Sequence, residues 1–221
     1  MNGYPKMNLA LSRAMVAIAA ASLVFGVLAQ AQSADDPWLI TASGGKGPLN
    51  LHTTHEDLVH TFGAMNVVEQ DGIDGMSGDM EYATILFPKD SQRKIEIVWR
   101  DGDKRTAPRS VTISGDESKW KAEHGVSLGT SLKYLEKLNG RPFRLAGFGW
   151  DYSGTVTSWE QGLLEEDLQI PGRVILRLGE ASNKLTDKEN SEVAGDGEFS
   201  SRHPVMLKLN PKVYEIVWIF P

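Results

Sequence analysis

The chain has 221 residues, 41% hydrophobic and 24% charged, with 23 Lys plus Arg against 29 Asp plus Glu and a formal net charge of -6. A globular chain of this size buries roughly 70% of its unfolded surface, so disorder, a collagen repeat and a disulfide framework are excluded as overall descriptions. There is no cysteine, which excludes thiol chemistry and an acylated N-terminal cysteine.

Residues 1–31 carry Lys6 and Arg13 and no acidic residue, followed by a 15-residue apolar run from Ala14 to Leu28 and by Ala29-Gln30-Ala31. A charged start, an apolar centre and a small-x-small site form the pattern of a cleaved secretory signal. The run is shorter than the roughly 20 residues that span a bilayer. Cleavage after Ala31 leaves 21 basic and 29 acidic side chains. The expectation is a soluble periplasmic or secreted bacterial protein. Its acidic balance argues against nucleic acid as a partner, because phosphates demand basic surface.

In the first half, Thr53 precedes a short helix as N-cap, with Glu56 three residues on as in a capping box. Gly63 ends that helix. Strands are expected over 82–88, 94–100 and 110–114. In the second of these Ile95, Ile97 and Trp99 alternate with Glu96, Val98 and Arg100. Residues 69–79 are Gly-rich and acidic and read as a solvated loop.

The second half repeats the pattern. Thr130 stands before a helix whose Leu132, Leu135 and Leu138 form one apolar stripe. Gly140 and Pro142 stop it. Strands are expected over 142–148, 155–159, 173–178 and 213–220, the last as a paired strand of the sheet. A polar, acidic insertion occupies 182–201. A short helix over 203–210 has Pro204 in its first turn. At an offset of 77, Leu49 matches Val126, Leu51 matches Leu128, Thr53 matches Thr130, Leu58 matches Leu135 and Gly63 matches Gly140. The expected fold is α+β. It comprises two tandem units, 35–115 and 116–221, each a capped helix followed by an antiparallel meander, with helices on one face of the sheet.

The run Leu128-Gly129-Thr130, a short helix, then Asn139-Gly140-Arg141-Pro142 and strands resembles the secreted modules of the β-lactamase-inhibitor-protein-like fold. That fold is also seen in the small lipoprotein of the outer-membrane assembly machine. The match is weaker at Leu51-His52-Thr53, where His52 replaces the glycine. The resemblance implies protein binding on a sheet surface, without catalysis, and carries over no functional residue.

Several constellations compete for function. Gly125-Val126-Ser127-Leu128-Gly129 satisfies G-x-S-x-G, and Ser127 with His203 and Asp151 or Asp167 would make a serine hydrolase. The motif needs a strand before it, and Lys119–His124 is not apolar. His52, His55 and His60, with Glu56 and Asp57, offer metal ligands, but their spacing does not place them on one helical face. Phe143, Phe148, Trp150, Tyr152 and Trp159 are dense within seventeen residues. Spacing by two would put Phe148, Trp150 and Tyr152 on one strand face, with Gly147 and Gly149 opposite, where another group can approach. An exposed aromatic face binds a protein or a sugar; a buried one is core. The expectation is a non-enzymatic binding protein without cofactor, metal or catalytic residue. Its face would comprise Phe148, Trp150, Asp151, Tyr152 and Trp159, and its partner would be an envelope protein. The alternatives are the Ser127–His203 hydrolase and metal binding through the first-helix histidines.

Overall fold

The two helices expected after Thr53 and Thr130 form, but each is capped one residue later than expected. The Thr54 side chain accepts from the Asp57 N–H, and Asp57 returns a bond to the Thr54 backbone, starting α1 (His55–Phe62). The box therefore uses Asp57, not Glu56. Ser131 accepts from the Tyr134 N–H and starts α2 (Leu132–Asn139). Thr53 and Thr130 instead close the turns just before. Their Oγ1 atoms accept from the N–H groups of Asn50 at 2.9 Å and Ser127 at 3.1 Å. Both helices have eight residues, and both stop at a glycine with positive φ, Gly63 at 83° and Gly140 at 74°. The correspondence at an offset of 77 thus covers turn, cap, helix and stop.

In a computed structural model the chain divides into Met1–Ala31 and Gln32–Pro221. The structure describes residues 36–43, 49–74, 80–115, 117–169, 172–179 and 185–221. The expected signal at 1–31 lies outside the described residues, as do 75–79 of the acidic loop and 182–184 of the insertion.

After α1 come β1 (Val67–Asp74), β2 (Met80–Leu86), β3 (Ile95–Asp101) and β4 (Thr106–Ser114). They form a continuous antiparallel meander. β1 occupies part of the expected loop, because its backbone pairs along β2 from Val67↔Leu86 to Asp74↔Met80. After α2 come β5 (Arg144–Ala146), β6 (Val156–Ser158), α3 (Leu163–Gln169), β7 (Arg173–Gly179), α4 (Asp187–Glu192), β8 (Glu198–Ser200), α5 (Pro204–Leu209) and β9 (Lys212–Ile219). The fold is α+β. Its strands form a six-stranded sheet, β1-β2-β3-β4-β9-β7, and a three-stranded sheet, β6-β5-β8. The second half thus divides its strands between two sheets, and β4 beside β9 joins the halves. The insertion is partly ordered as α4 and β8. β9 is paired on both sides, as expected.

One core serves the described residues. It gathers Leu58, Ile97, Trp99, Leu135, Leu164, Leu176, Met206 and Trp218, among others, so every helix except α4 contributes to it. Each of the first two helices is also tied to the start of a sheet strand. His55 N–H donates to the Arg105 carbonyl at 3.0 Å, and Leu132 N–H to the Pro211 carbonyl at 2.8 Å. Neither edge of the six-stranded sheet is an open template. β1 carries Glu69 and Asp71 and a register break after Asp71, devices that blunt an edge. β7 is met by Thr155, which bridges Arg177, and by Gly154, whose carbonyl accepts from Leu178 N–H at 2.9 Å. Among the described residues no helix is long and apolar enough to cross a membrane.

Residues 36–42 lie as a strap on this body. Ile40 N–H donates to the Lys121 carbonyl at 2.9 Å, and the Trp218 indole donates to the Ile40 carbonyl at 3.1 Å. Ala42 N–H donates to Glu123 Oε1 at 2.7 Å. The other oxygen, Glu123 Oε2, is buried without a hydrogen-bond partner. Burial pushes this carboxyl above its ordinary value, and Asp167 adds to the rise, against the Ala42 bond and His124. A raised carboxyl binds its proton more tightly folded than unfolded. Its contribution is therefore full below the ordinary glutamate range and is lost as pH rises through the raised value. Glu123→Gln is expected to flatten this dependence. In thermal melts from about pH 4 to 8, the wild type loses stability relative to the variant as pH rises. A difference that grows in the opposite direction would refute the assignment.

Candidate binding site

The aromatic run does not continue as a strand. Phe148 bridges Ala194, and the chain then bends at Gly149, with φ 84°, and turns through 151–154 to Gly154, with φ 64°. The positive φ at both ends is the conformation glycine adopts without strain. The expectation that Phe148, Trp150 and Tyr152 share a face is therefore corrected. Phe148 and Trp159 are core residues, each 2% exposed, and Trp159 packs on Phe143 with ring centroids 5.1 Å apart. Trp150 is 66% exposed and Tyr152 71%, with Asp151 exposed between them.

Backbone bonds fix this turn. Ser153 N–H donates to the Trp150 carbonyl at 2.9 Å, Thr155 N–H to Tyr152 at 3.0 Å, and Gly154 N–H to Gly147 at 3.1 Å. The Ser153 hydroxyl accepts from Gly149 N–H at 3.2 Å. Beneath lies the chain after α4. Phe148 N–H donates to the Val193 carbonyl at 2.9 Å, and Gly195 N–H to Phe148 at 3.0 Å. Gly147 is the close-approach glycine anticipated: a Cβ there would sit 2.5 Å from the Gly195 oxygen and 2.6 Å from the Val193 oxygen. Gly149 has nothing within 4 Å of such a Cβ and serves only the turn.

Of the hydrolase candidates, His203 and Asp167 have other partners. Ser127 follows a 3-10 turn, Glu123–Gly125, in place of the strand an elbow requires. His203 caps α5, its Nδ1 accepting from Val205 N–H at 3.3 Å, and its ring meets Phe199 edge-on. Asp167 lies 2.6 Å from His124 Nε2. Among the described residues no group of three or more His, Cys, Asp or Glu is arranged to hold a metal. His52 and His60 are exposed.

His55 does something that local sequence did not reveal. Its Nδ1 lies 3.1 Å from Thr84 Oγ1, and its Nε2 lies 3.5 Å from Glu69. The Trp99 indole donates to the same Thr84 oxygen at 2.9 Å. Buried Arg105 pairs with Asp71 and with Glu69 at 3.4 Å, and donates to the Ala83 carbonyl at 3.0 Å. Of these groups, His55, Glu69, Asp71 and Arg105 line a cleft of about 390 Å³. The row of hydroxyl, imidazole and carboxylate looks catalytic, but Thr84 is fully buried. Its oxygen already accepts the indole N–H, so it is not presented to a substrate. The network instead orients α1 on the sheet.

No known protein family, curated protein or solved structure matches this chain.

Proposed function

We propose that the chain is an exported binding protein without catalysis, which engages an envelope protein through Trp150 and Tyr152. The observation that carries this reading is the exposure of two large aromatic side chains on a turn fixed by its own backbone bonds. Rigid aromatic anchors contribute most of the energy at many interfaces, because they bury large area at low entropic cost. The blunted edges of the six-stranded sheet favour this turn over strand addition there. The matching turn, cap and helix in residues 50–63 and 127–140 support reading the halves, 35–115 and 116–221, as related modules resembling the β-lactamase-inhibitor-protein-like fold.

The test is capture from envelope extract by the exported chain, beside Trp150→Ala/Tyr152→Ala. Exposed truncations change stability by only about 0.5 kcal/mol, so the variant folds like the wild type. A partner held by the wild type and lost at least about tenfold by the variant is the expected result. Equal capture by both would overturn the reading. The mass of the exported chain itself reports whether residues 1–31 have been removed.

A further inference from the structure

The surroundings of the aromatic turn have a definite charge. Residues 147–154 and 192–198 contain four carboxylates, Asp151, Glu192, Asp196 and Glu198, and no lysine or arginine. All four residues are exposed. None has an ion-pair partner among the described residues, whereas Glu189 and Glu136 nearby are held by Lys208 and Arg202. The carboxylates belong to the same local structure as the rings. Glu198 pairs with Ala146 in the small sheet, and Gly195 approaches the Trp150 indole, with a Cβ there 3.6 Å from Nε1. Bare π faces and unpaired carboxylates at one place attract the same thing, a cation carried on an apolar stem.

Resting on the binding reading above, we propose that the turn docks a basic, lysine- or arginine-bearing segment of its protein partner. A guanidinium or ammonium group lies over the Trp150 or Tyr152 ring, with Asp196 and Glu198 neutralising neighbouring charges. An arginine suits this best, because its planar group stacks on an aromatic ring while its N–H groups reach carboxylates. The acidic exported chain adds long-range attraction that speeds encounter.

The probe is a fluorescent octapeptide of alternating arginine and glycine, titrated by anisotropy against the exported chain purified from cells expressing the full sequence. The wild type is expected to bind it, and about tenfold more weakly when ionic strength rises from about 0.01 M to 0.15 M. Trp150→Ala/Tyr152→Ala is expected to weaken binding about tenfold at either salt. Asp196→Asn/Glu198→Gln should weaken it several-fold at low salt alone. Binding of equal strength to the aromatic variant would mean general charge attraction and overturn the proposal. So would no binding at about 1 mM peptide. A neutral oligosaccharide that binds through the same rings without salt dependence would likewise overturn it. A partner captured through Trp150 and Tyr152, yet insensitive to salt and to the peptide, would sink the charge argument and leave the binding reading standing.

Discussion

Replacing Asn139 with alanine is expected to cost about 3–5 kcal/mol of folding stability, because it strands three backbone groups at once. Asn139 ends α2 and is 1% exposed. Its Nδ2 donates to the Arg141 carbonyl at 3.0 Å and to the Trp159 carbonyl at 2.9 Å. Its Oδ1 accepts from Leu164 N–H at 3.2 Å, at the start of α3. One side chain therefore joins the end of one helix, a turn and the start of another. The space is exact: any Cβ at Gly162 would overlap the Asn139 amide. The turn also needs support from outside, since Glu160 and Gln161 both adopt positive φ, at 55° and 60°. Each such residue costs about 1–2 kcal/mol. Arg141 offsets part of this by donating to both carbonyls, at 2.6 Å and 3.4 Å. Asn139→Asp keeps the acceptor but loses both donors and faces two carbonyl oxygens with a carboxylate. It is expected to be at least as destabilising. Urea denaturation reads both variants, and a midpoint unchanged in Asn139→Ala would refute the account.

What the sequence shows clearly is what local chemistry determines. The alternation at Ile95, Ile97 and Trp99 gives β3, and Pro204 followed by an apolar run gives α5. The two short helices are visible in their leucines and terminal glycines. The caps lie one residue beyond the positions the pattern predicts, because adjacent hydroxyls compete at each start: Thr53 with Thr54, and Thr130 with Ser131. At the first start the neighbouring acids Glu56 and Asp57 both offer a capping-box partner. What remains illegible depends on distant partners. Asp71 and Gly72 have turn-forming chemistry, yet they lie within a strand, because Asp71 pairs with Tyr82 and Ile73 with Glu81 of β2, leaving Gly72 at the register break between them. The His55–Thr84–Trp99 chain spans three elements and has no local signature. The aromatic cluster is legible in the sequence, but its spacing of two points to a strand where the chain in fact turns. The better signal was composition, since Asp151, Ser153 and the flanking glycines are turn formers.

That turn supplies the second large effect. Gly147→Ala is expected to destabilise the fold by about 3 kcal/mol, as overpacking against backbone does. The added Cβ would meet the carbonyl oxygens of Gly195 and Val193 at 2.5 Å and 2.6 Å and the Phe199 ring at 2.8 Å. The cost lies in packing against neighbours that are main chain and cannot rotate away. Segment 193–197 must retreat, stretching the bonds Phe148 N–H to Val193, Gly195 N–H to Phe148 and Gly147 N–H to Gly197. Trp150 then loses the surface beneath its indole, so partner capture should fall together with stability. Gly149→Ala is the control. It meets nothing within 4 Å but must hold φ 84°. It should cost only about 1–2 kcal/mol and leave the 193–197 segment in place. Hydrogen exchange separates the two: the amides of Phe148 and Gly195 should exchange faster in Gly147→Ala and at the wild-type rate in Gly149→Ala. Equal losses in the two variants would show that backbone conformation, and not the close approach of the two chain segments, holds the aromatic turn in place.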